Sequence, residues 1–227
     1  MALAGLTWEV CLAYLDDLII FSNTFEQHVE RLQMVFDRLV DADLKLKPSK
    51  CSSFQRKVKF LGSIVSGEGT EPDPEKVQAV AGWLRPQNLT EVRAFVVLAS
   101  YYRRHIPCFA EIAKPLHELT KKDIQFYWGT RQEQAFLRLK EALVSAPVLA
   151  MPIDGGGYVL DTDACNYSMG CVLQQWQNDE LKVIGYASRA FSDAELRYCT
   201  TRRELAAIIF GTFYWGINLC CALIMLH

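Results

Sequence analysis

Trp8-Glu9-Val10-Cys11-Leu12-Ala13-Tyr14-Leu15-Asp16-Asp17-Leu18-Ile19-Ile20-Phe21 sets two short apolar runs on either side of adjacent carboxylates. Trp8 to Ala13 and Leu18 to Phe21 are β-prone, so the stretch reads as a hairpin of buried strands with Asp16 and Asp17 at its tip. Aspartate is a common turn former, and an isolated Asp-Asp turn is ordinarily plain surface. Two carboxylates this close repel one another unless a divalent cation neutralises them. Magnesium suits that role, because it takes a few carboxylates together with substrate phosphates.

Thr24 opens a T-x-x-Q capping box, and Val29, Leu32, Val35, Phe36, Leu39 and Val40 recur at helical spacing, predicting an amphipathic helix under a sheet. Lys45, Lys47, Lys50, Arg56, Lys57 and Lys59 then follow with no acidic residue between them. A charge run is usually a solvated face, yet phosphate neutralisation needs this local density. Val58 to Ser66 reads as strands interrupted by Gly62, and Gly67, Gly69, Pro72 and Pro74 mark a first boundary. From Pro74 to about Leu143 the pattern is helical, broken at Pro86, Pro107 and Gly129. Pro147 to Gly157 reads as a second linker. Strand-like runs at Tyr158–Asp161, Met169–Gln174 and Val183–Ala187 precede a helix from about Thr201.

Half of the 227 residues are hydrophobic, enough for a sizeable core in one large or two small domains. The formal net charge of −2 argues against a generally basic nucleic-acid binder. The eight cysteines form no C-x-x-C pair and read as reduced, mostly buried thiols. No basic segment precedes an apolar core at the amino terminus, so no signal peptide is expected and the setting is intracellular, cytoplasmic or nuclear. Leu205 to Leu226 carries no charge and meets the length rule for a membrane span; insertion of this tail is the minority reading.

The motifs Y-L-D-D-L-I-I-F-S, L-K-L-K-P-S-K-C and V-K-F-L-G-S-I-V-S are followed in order by A-S-Y-Y-R-R-H-I-P, A-K-P-L-H-E-L-T-K-K, F-x-W and A-F-x-x-L-K-E-A-L-V-S-A-P-V-L. L-D-T-D-A-C-N-Y-S-M-G-C-V-L-Q-Q and Y-A-S-R-A-F-S-D-A-E-L-R-Y-C-T-T-R-R-E-L-A-A-I come last. In that order, over about residues 3 to 215, they resemble the reverse transcriptase and the opening of the ribonuclease H domain of gypsy-type LTR retrotransposon Pol polyproteins. The resemblance implies an α+β and α/β architecture: the end of a polymerase palm at 1–71, a helical thumb and connection at 72–150, and the first part of a ribonuclease H-like domain at 151–215. It leaves 216–227 as an apolar tail outside.

It also implies roles. Asp16 and Asp17 become part of a polymerase metal cage, and Asp163 and Glu204 match the first two carboxylates of a ribonuclease H cage. Each complete family site holds two Mg²⁺ ions, with Mn²⁺ as the alternative. Asp161 is an acidic spectator or accessory. Phe60, Leu61 and Gly62 map onto the hairpin that grips the primer end, where the bare alternative is a buried strand with a bulge. Tyr102, Arg103 and Arg104 are candidates to stack on or neutralise a template, with Tyr101 beside them, although the tyrosines equally suit a core. Lys45, Lys47 and Lys50 are further candidate nucleic-acid contacts. The implied partners are a template-primer or RNA–DNA hybrid, dNTP in the complete enzyme, and further polyprotein parts. An earlier palm aspartate and a third ribonuclease H aspartate have no counterpart in this sequence, so the expectation is a catalytically incomplete chain. The alternatives are a noncatalytic nucleic-acid-binding module and, behind it, a membrane-anchored remnant.

Overall fold

The computed structural model describes residues 3–217 and 222–226. Its contacts divide the chain into two compact units, Met1–Val65 and Ser66–His227.

In the first unit, β1 (Cys11–Tyr14) and β2 (Asp17–Ile20) pair antiparallel with Tyr14 opposite Asp17, leaving a two-residue turn at Leu15-Asp16. The strands are less enclosed than the sequence suggests, since Cys11 alone among their residues is fully buried. α1 (Phe25–Asp41) starts where Thr24 Oγ1 accepts the Gln27 N–H at 3.2 Å. The Gln27 side chain reaches back to the Asn23 N–H at 2.9 Å, which closes the expected box one residue early. Val35 and Leu39 are the buried face of α1 and pack with Leu6, Val10 and Cys11, whereas Val29, Phe36 and Val40 stay exposed. β3 (Lys57–Phe60) and β4 (Ser63–Ser66) are neighbouring strands joined through Leu61 and Gly62, whose φ values of 47° and 67° fit the primed hairpin turn.

The second unit opens on β5 (Gly69–Pro72), where Thr70 exchanges backbone hydrogen bonds with Leu149 at 2.7 and 2.8 Å. Gly69 permits this approach: at φ 137° its backbone lies where a Cβ would meet the Leu149 carbonyl oxygen at 2.0 Å. α2 (Pro74–Ala81), α3 (Leu89–Tyr101), α4 (Phe109–Leu119) and α5 (Thr130–Val144) bury a shared core around Phe95, Leu116, Phe136 and Leu139. Three long strands follow, β6 (Tyr158–Ala164), β7 (Ser168–Gln177) and β8 (Glu180–Ala190), then α6 (Thr200–Trp215) and β9 (Ala222–Leu226). The sheet order is β8-β7-β6-β9, antiparallel except for β9, which lies parallel to β6.

Neither expected linker is a free connection. β5 belongs with the second unit through Leu149, which moves the boundary to between Val65 and Ser66. The 147–157 segment is clamped: the fully buried Gln175 amide accepts the Ile153 N–H at 2.9 Å and donates to the Ile153 and Gly156 carbonyls at 2.8 and 3.2 Å. Helices and sheet therefore form one unit rather than separate domains divided at residue 150. The uncharged stretch from Leu205 also departs from a continuous span, because α6 stops at Gly216 in left-handed conformation and a strand follows. No helix among the described residues is long and apolar enough to cross a membrane. The six described cysteines are free, but Cys51, Cys108 and Cys199 are exposed, so the thiols are not mostly buried; Cys220 and Cys221 lie outside the described residues.

Candidate active site

Asp16 sits in the β1–β2 turn and Asp17 begins β2, and both are exposed. The turn is unusual chemically. Leu15 holds φ 51° with 91% of its surface exposed, so a leucine occupies a left-handed position with no burial of its side chain in return. Lys45, Lys47, Lys50, Arg56, Lys57 and Lys59 are exposed, so the basic segment is available to solvent along its length. Phe60, Leu61 and Gly62 lie at a hairpin turn and are half-buried, which is neither the buried strand nor the bulge of the bare alternative.

The second unit brings Asp163 and Glu204 into one electrostatic neighbourhood. Asp163 lies near the end of β6, opposite Gly170, which in turn lies opposite Ser188, so the three share a cross-strand row. Glu204 lies in the first turns of α6, where Arg203 donates to the Asn166 side-chain oxygen at 2.8 Å and to the Leu196 carbonyl at 3.0 Å. The first bond pins the helix start to the β6–β7 turn and the second to the segment that leads into it from β8. Burial, and then the charge of Asp163, push the Glu204 carboxyl above the usual carboxylate range. Its Oε2 is buried and unpartnered among the described residues. Asp161, two residues before Asp163 on the same face of β6, accepts from Gln174 Nε2 at 2.6 Å.

The approach to α6 is stiffened by Arg189, which makes a bidentate pair with Glu195 at 2.7 and 2.9 Å. Arg189, with the Ser192 backbone and hydroxyl, holds the Glu195 carboxyl down to about 2. Sequence reading missed Arg203, Asn166, Arg189 and Glu195. The Arg-Glu spacing across a loop carried no periodicity that could have exposed them.

The Tyr-Tyr-Arg-Arg candidates are placed differently from expectation. Tyr102 is 3% exposed and belongs to the helical core, so its ring is unavailable for stacking on a template. Arg103 turns inward: its guanidinium donates to the Ser188 carbonyl and lies over the Phe109 ring at 5.5 Å. Arg104 remains exposed but is stacked on Trp215 at 5.1 Å. Beside them the buried His105 ring meets the Pro147 carbonyl at 3.1 Å. This turn fastens the helices to the sheet, which is why aromatic and guanidinium groups recur in it.

A paired-carboxylate hairpin in one unit and, in the other, a carboxylate on β6 with a second on α6 beside a β8-β7-β6-β9 sheet are features of a reverse transcriptase and ribonuclease H-like class of protein. A family model described as reverse transcriptase (RNA-dependent DNA polymerase) matches residues 4–65, and one described as an RNase H-like domain found in reverse transcriptase matches residues 128–225. The chain belongs to the reverse transcriptase and ribonuclease H family of retrotransposon Pol polyproteins. It is 39% identical over 203 residues to the retrovirus-related Pol polyprotein from transposon 297 of Drosophila melanogaster, covering 89% of this chain and 19% of that one. To the transposon Tf2-3 polyprotein of Schizosaccharomyces pombe it is 35% identical, covering 89% and 15%. Both relatives are consistent with the gypsy-type assignment.

Among solved structures, the foamy viral protease-reverse transcriptase dRH in complex with double-stranded DNA superposes with a TM-score of 0.82 at 22% identity, over 99% of this chain and 40% of that one. The same viral protein with an RNA/DNA hybrid gives 0.78 at 23%, over 90% and 28%. These likenesses establish the fold. The match to residue 225 also carries the ribonuclease H-like region past Trp215, through the tail expected to lie outside it.

Both families use divalent metal ions. The unpartnered Glu204 oxygen beside the Asp163 charge suits such an ion, since it is a buried hard donor that no group among the described residues satisfies. No group of three or more His, Cys, Asp or Glu that could hold a metal occurs among the described residues.

Proposed function

We propose that this chain is a hybrid-binding part of a retrotransposon reverse transcriptase and ribonuclease H, with Asp163 and Glu204 as ligands of Mg²⁺ or Mn²⁺ and Asp16 and Asp17 as part of a polymerase-type metal site. The reading is carried by one observation: a buried carboxylate oxygen on Glu204 without a partner, next to a second carboxylate. When bound, a divalent ion supplies charge stabilisation and an activated water at a phosphodiester. The protein groups do the rest. Arg203 holds the start of α6 against the β6–β7 turn, which fixes where Glu204 sits relative to the strand that carries Asp163. Support for nucleic acid as partner comes from the exposed basic segment between Lys45 and Lys59 and from the foamy viral structures of the same fold, which are complexes with DNA and with RNA/DNA hybrid. A dNTP partner, two ions per site and a cytoplasmic or nuclear setting belong to the same proposal.

The exposed basic segment between Lys45 and Lys59 suits equally a second reading, a module that binds hybrid without cleaving it. Turnover of a labelled RNA–DNA hybrid in Mg²⁺ or Mn²⁺, beside Asp163→Asn and Asp16→Asn, separates the two. Cleavage lost in Asp163→Asn supports the catalytic reading. Salt-sensitive binding without turnover supports the binding module, and neither binding nor turnover rejects both.

A further inference from the structure

Cys108 and Cys165 are free thiols that the fold brings to one junction, between the start of α4 and the β6–β7 turn. Cys108 is the residue from which α4 starts, held at φ 51° with no side-chain cap bond of its own. Cys165 follows β6 directly. Its backbone N–H donates to the Ser168 carbonyl at 2.9 Å, and its Sγ lies 3.1 Å from Ser168 Oγ. Cys108 is exposed and Cys165 partly so, which leaves both open to a small reagent.

Strand alternation decides which way the Cys165 turn faces. Gly170 lies opposite Ser188, and Ser168, two residues before Gly170, lies opposite Ala190, so Ser168 and Ser188 share one face of the sheet. The Ser188 hydroxyl accepts the Ala110 N–H at 2.9 Å, which makes this the face on which the first turn of α4 is seated. The Cys165 thiol, in contact with Ser168, is therefore on the α4 side. From α4, Cys108 reaches the same place. The Glu111 N–H donates to the Cys108 carbonyl at 3.0 Å, so the two stand on one turn, and the Glu111 carboxylate accepts the hydroxyl of Tyr167, a neighbour of Cys165 in its turn, at 3.0 Å. Burial, then Glu111, then Asp163 and Cys165, push the Cys108 thiol up, which agrees with this placement.

We propose that Cys108 and Cys165 close into a reversible disulfide that clips the start of α4 to the β6–β7 turn, formed by exchange with a low-molecular-weight disulfide. One cysteine sulfur attacks the reagent, forming a mixed disulfide and releasing one small thiol; the other cysteine then attacks that mixed disulfide and releases the second. The two cysteine protons leave on the two small thiols, and the two electrons lost by the cysteines reduce the reagent. Because Asn166 of the same turn accepts from Arg203, the clip also bears on the start of α6. The test incubates the full chain with oxidised glutathione, blocks the remaining thiols with N-ethylmaleimide and maps an unreduced digest by mass spectrometry. A peptide linking Cys108 to Cys165 is expected in the monomeric fraction, two hydrogens lighter than its reduced parts and lost on reduction. Fragmentation should place the bond at Cys165 and not at the buried Cys171. The oxidised chain should melt several degrees above the reduced one, a shift that Cys165→Ser abolishes. Cys108 and Cys165 recovered separately, as glutathione or maleimide adducts, overturn the proposal, as does a link to Cys171 or one found only between two chains. The mapping is read on the unmutated chain and so does not depend on a variant folding.

Discussion

Glu204 shows how a single side chain couples stability to pH. Its folded pKa lies above that of free glutamate, because burial and then the Asp163 charge disfavour the ionised form. Between the unfolded and folded values the folded chain holds the extra proton. The stability from that proton is therefore fully present below the unfolded pKa and is lost as pH rises through the folded one. Glu204→Gln, which cannot ionise, should melt a few degrees higher than wild type at pH 8, and the gain should shrink toward pH 4. Thermal unfolding at the two pH values reads this directly. Millimolar Mg²⁺ should raise the wild-type midpoint by more than that of Asp163→Asn or Glu204→Gln, which each lose one of the two proposed sites, since only a site binding the folded state stabilises it. Leu15 offers a test in the other unit. Because its exposed side chain gains nothing from the left-handed backbone, Leu15→Asn should stabilise by about 0.5–1 kcal/mol in urea unfolding.

At the scale of elements, α6 approaches the sheet through Gly211, where a Cβ would lie 3.1 Å from Leu160 Cδ2 and 3.2 Å from both Cβ and Sγ of Cys171. Gly211→Val adds branches to that contact and should cost about 1–3 kcal/mol by overpacking, read as a lower urea midpoint at unchanged slope. Much of this architecture was legible beforehand. Strand-like runs announced β6, β7 and β8, the Thr24 cap announced α1, the Asp16-Asp17 pair announced the first hairpin, and the family resemblance placed the second at Phe60-Leu61-Gly62. What escaped notice depends on distant partners. Gly69 and Pro72 look like linker punctuation, but they bound a strand whose Thr70 also bridges to Leu149, remote in sequence. The amide of Gln175 gave no sign that it would be buried and close the 151–157 segment. Tyr102 and Arg103 have the chemistry of template contacts, and only packing against β8 and the helical core reveals them as fasteners. For the carboxylates, the motif resemblance singled out Asp163 and Glu204 as candidates, while the unpartnered oxygen of Glu204 is visible only in three dimensions.

Across the whole molecule the formal charge is −2, yet the cations are unevenly spread, with the exposed Lys45 to Lys59 segment carrying six of them and no acid. A near-neutral total gives little long-range attraction for a polyanion, so affinity for a hybrid has to come from local neutralisation of phosphates. Replacing Lys45, Lys47 and Lys50 together with Gln should therefore lower affinity most at low salt, and converge toward wild type as salt rises and screening removes the contribution from both proteins. Each lysine that contacts a phosphate should take about 0.9 from the slope of log K against log salt. Asp163→Asn should behave in the opposite sense in EDTA, holding or tightening binding, because removing a carboxylate charge reduces repulsion of the backbone where no cation offsets it. Anisotropy titrations of the triple variant and of Asp163→Asn from about 50 to 200 mM salt compare the two directly. If the lysine variant kept the wild-type slope, the first-unit segment would be a solvated face, and binding would have to be carried by cations of the second unit.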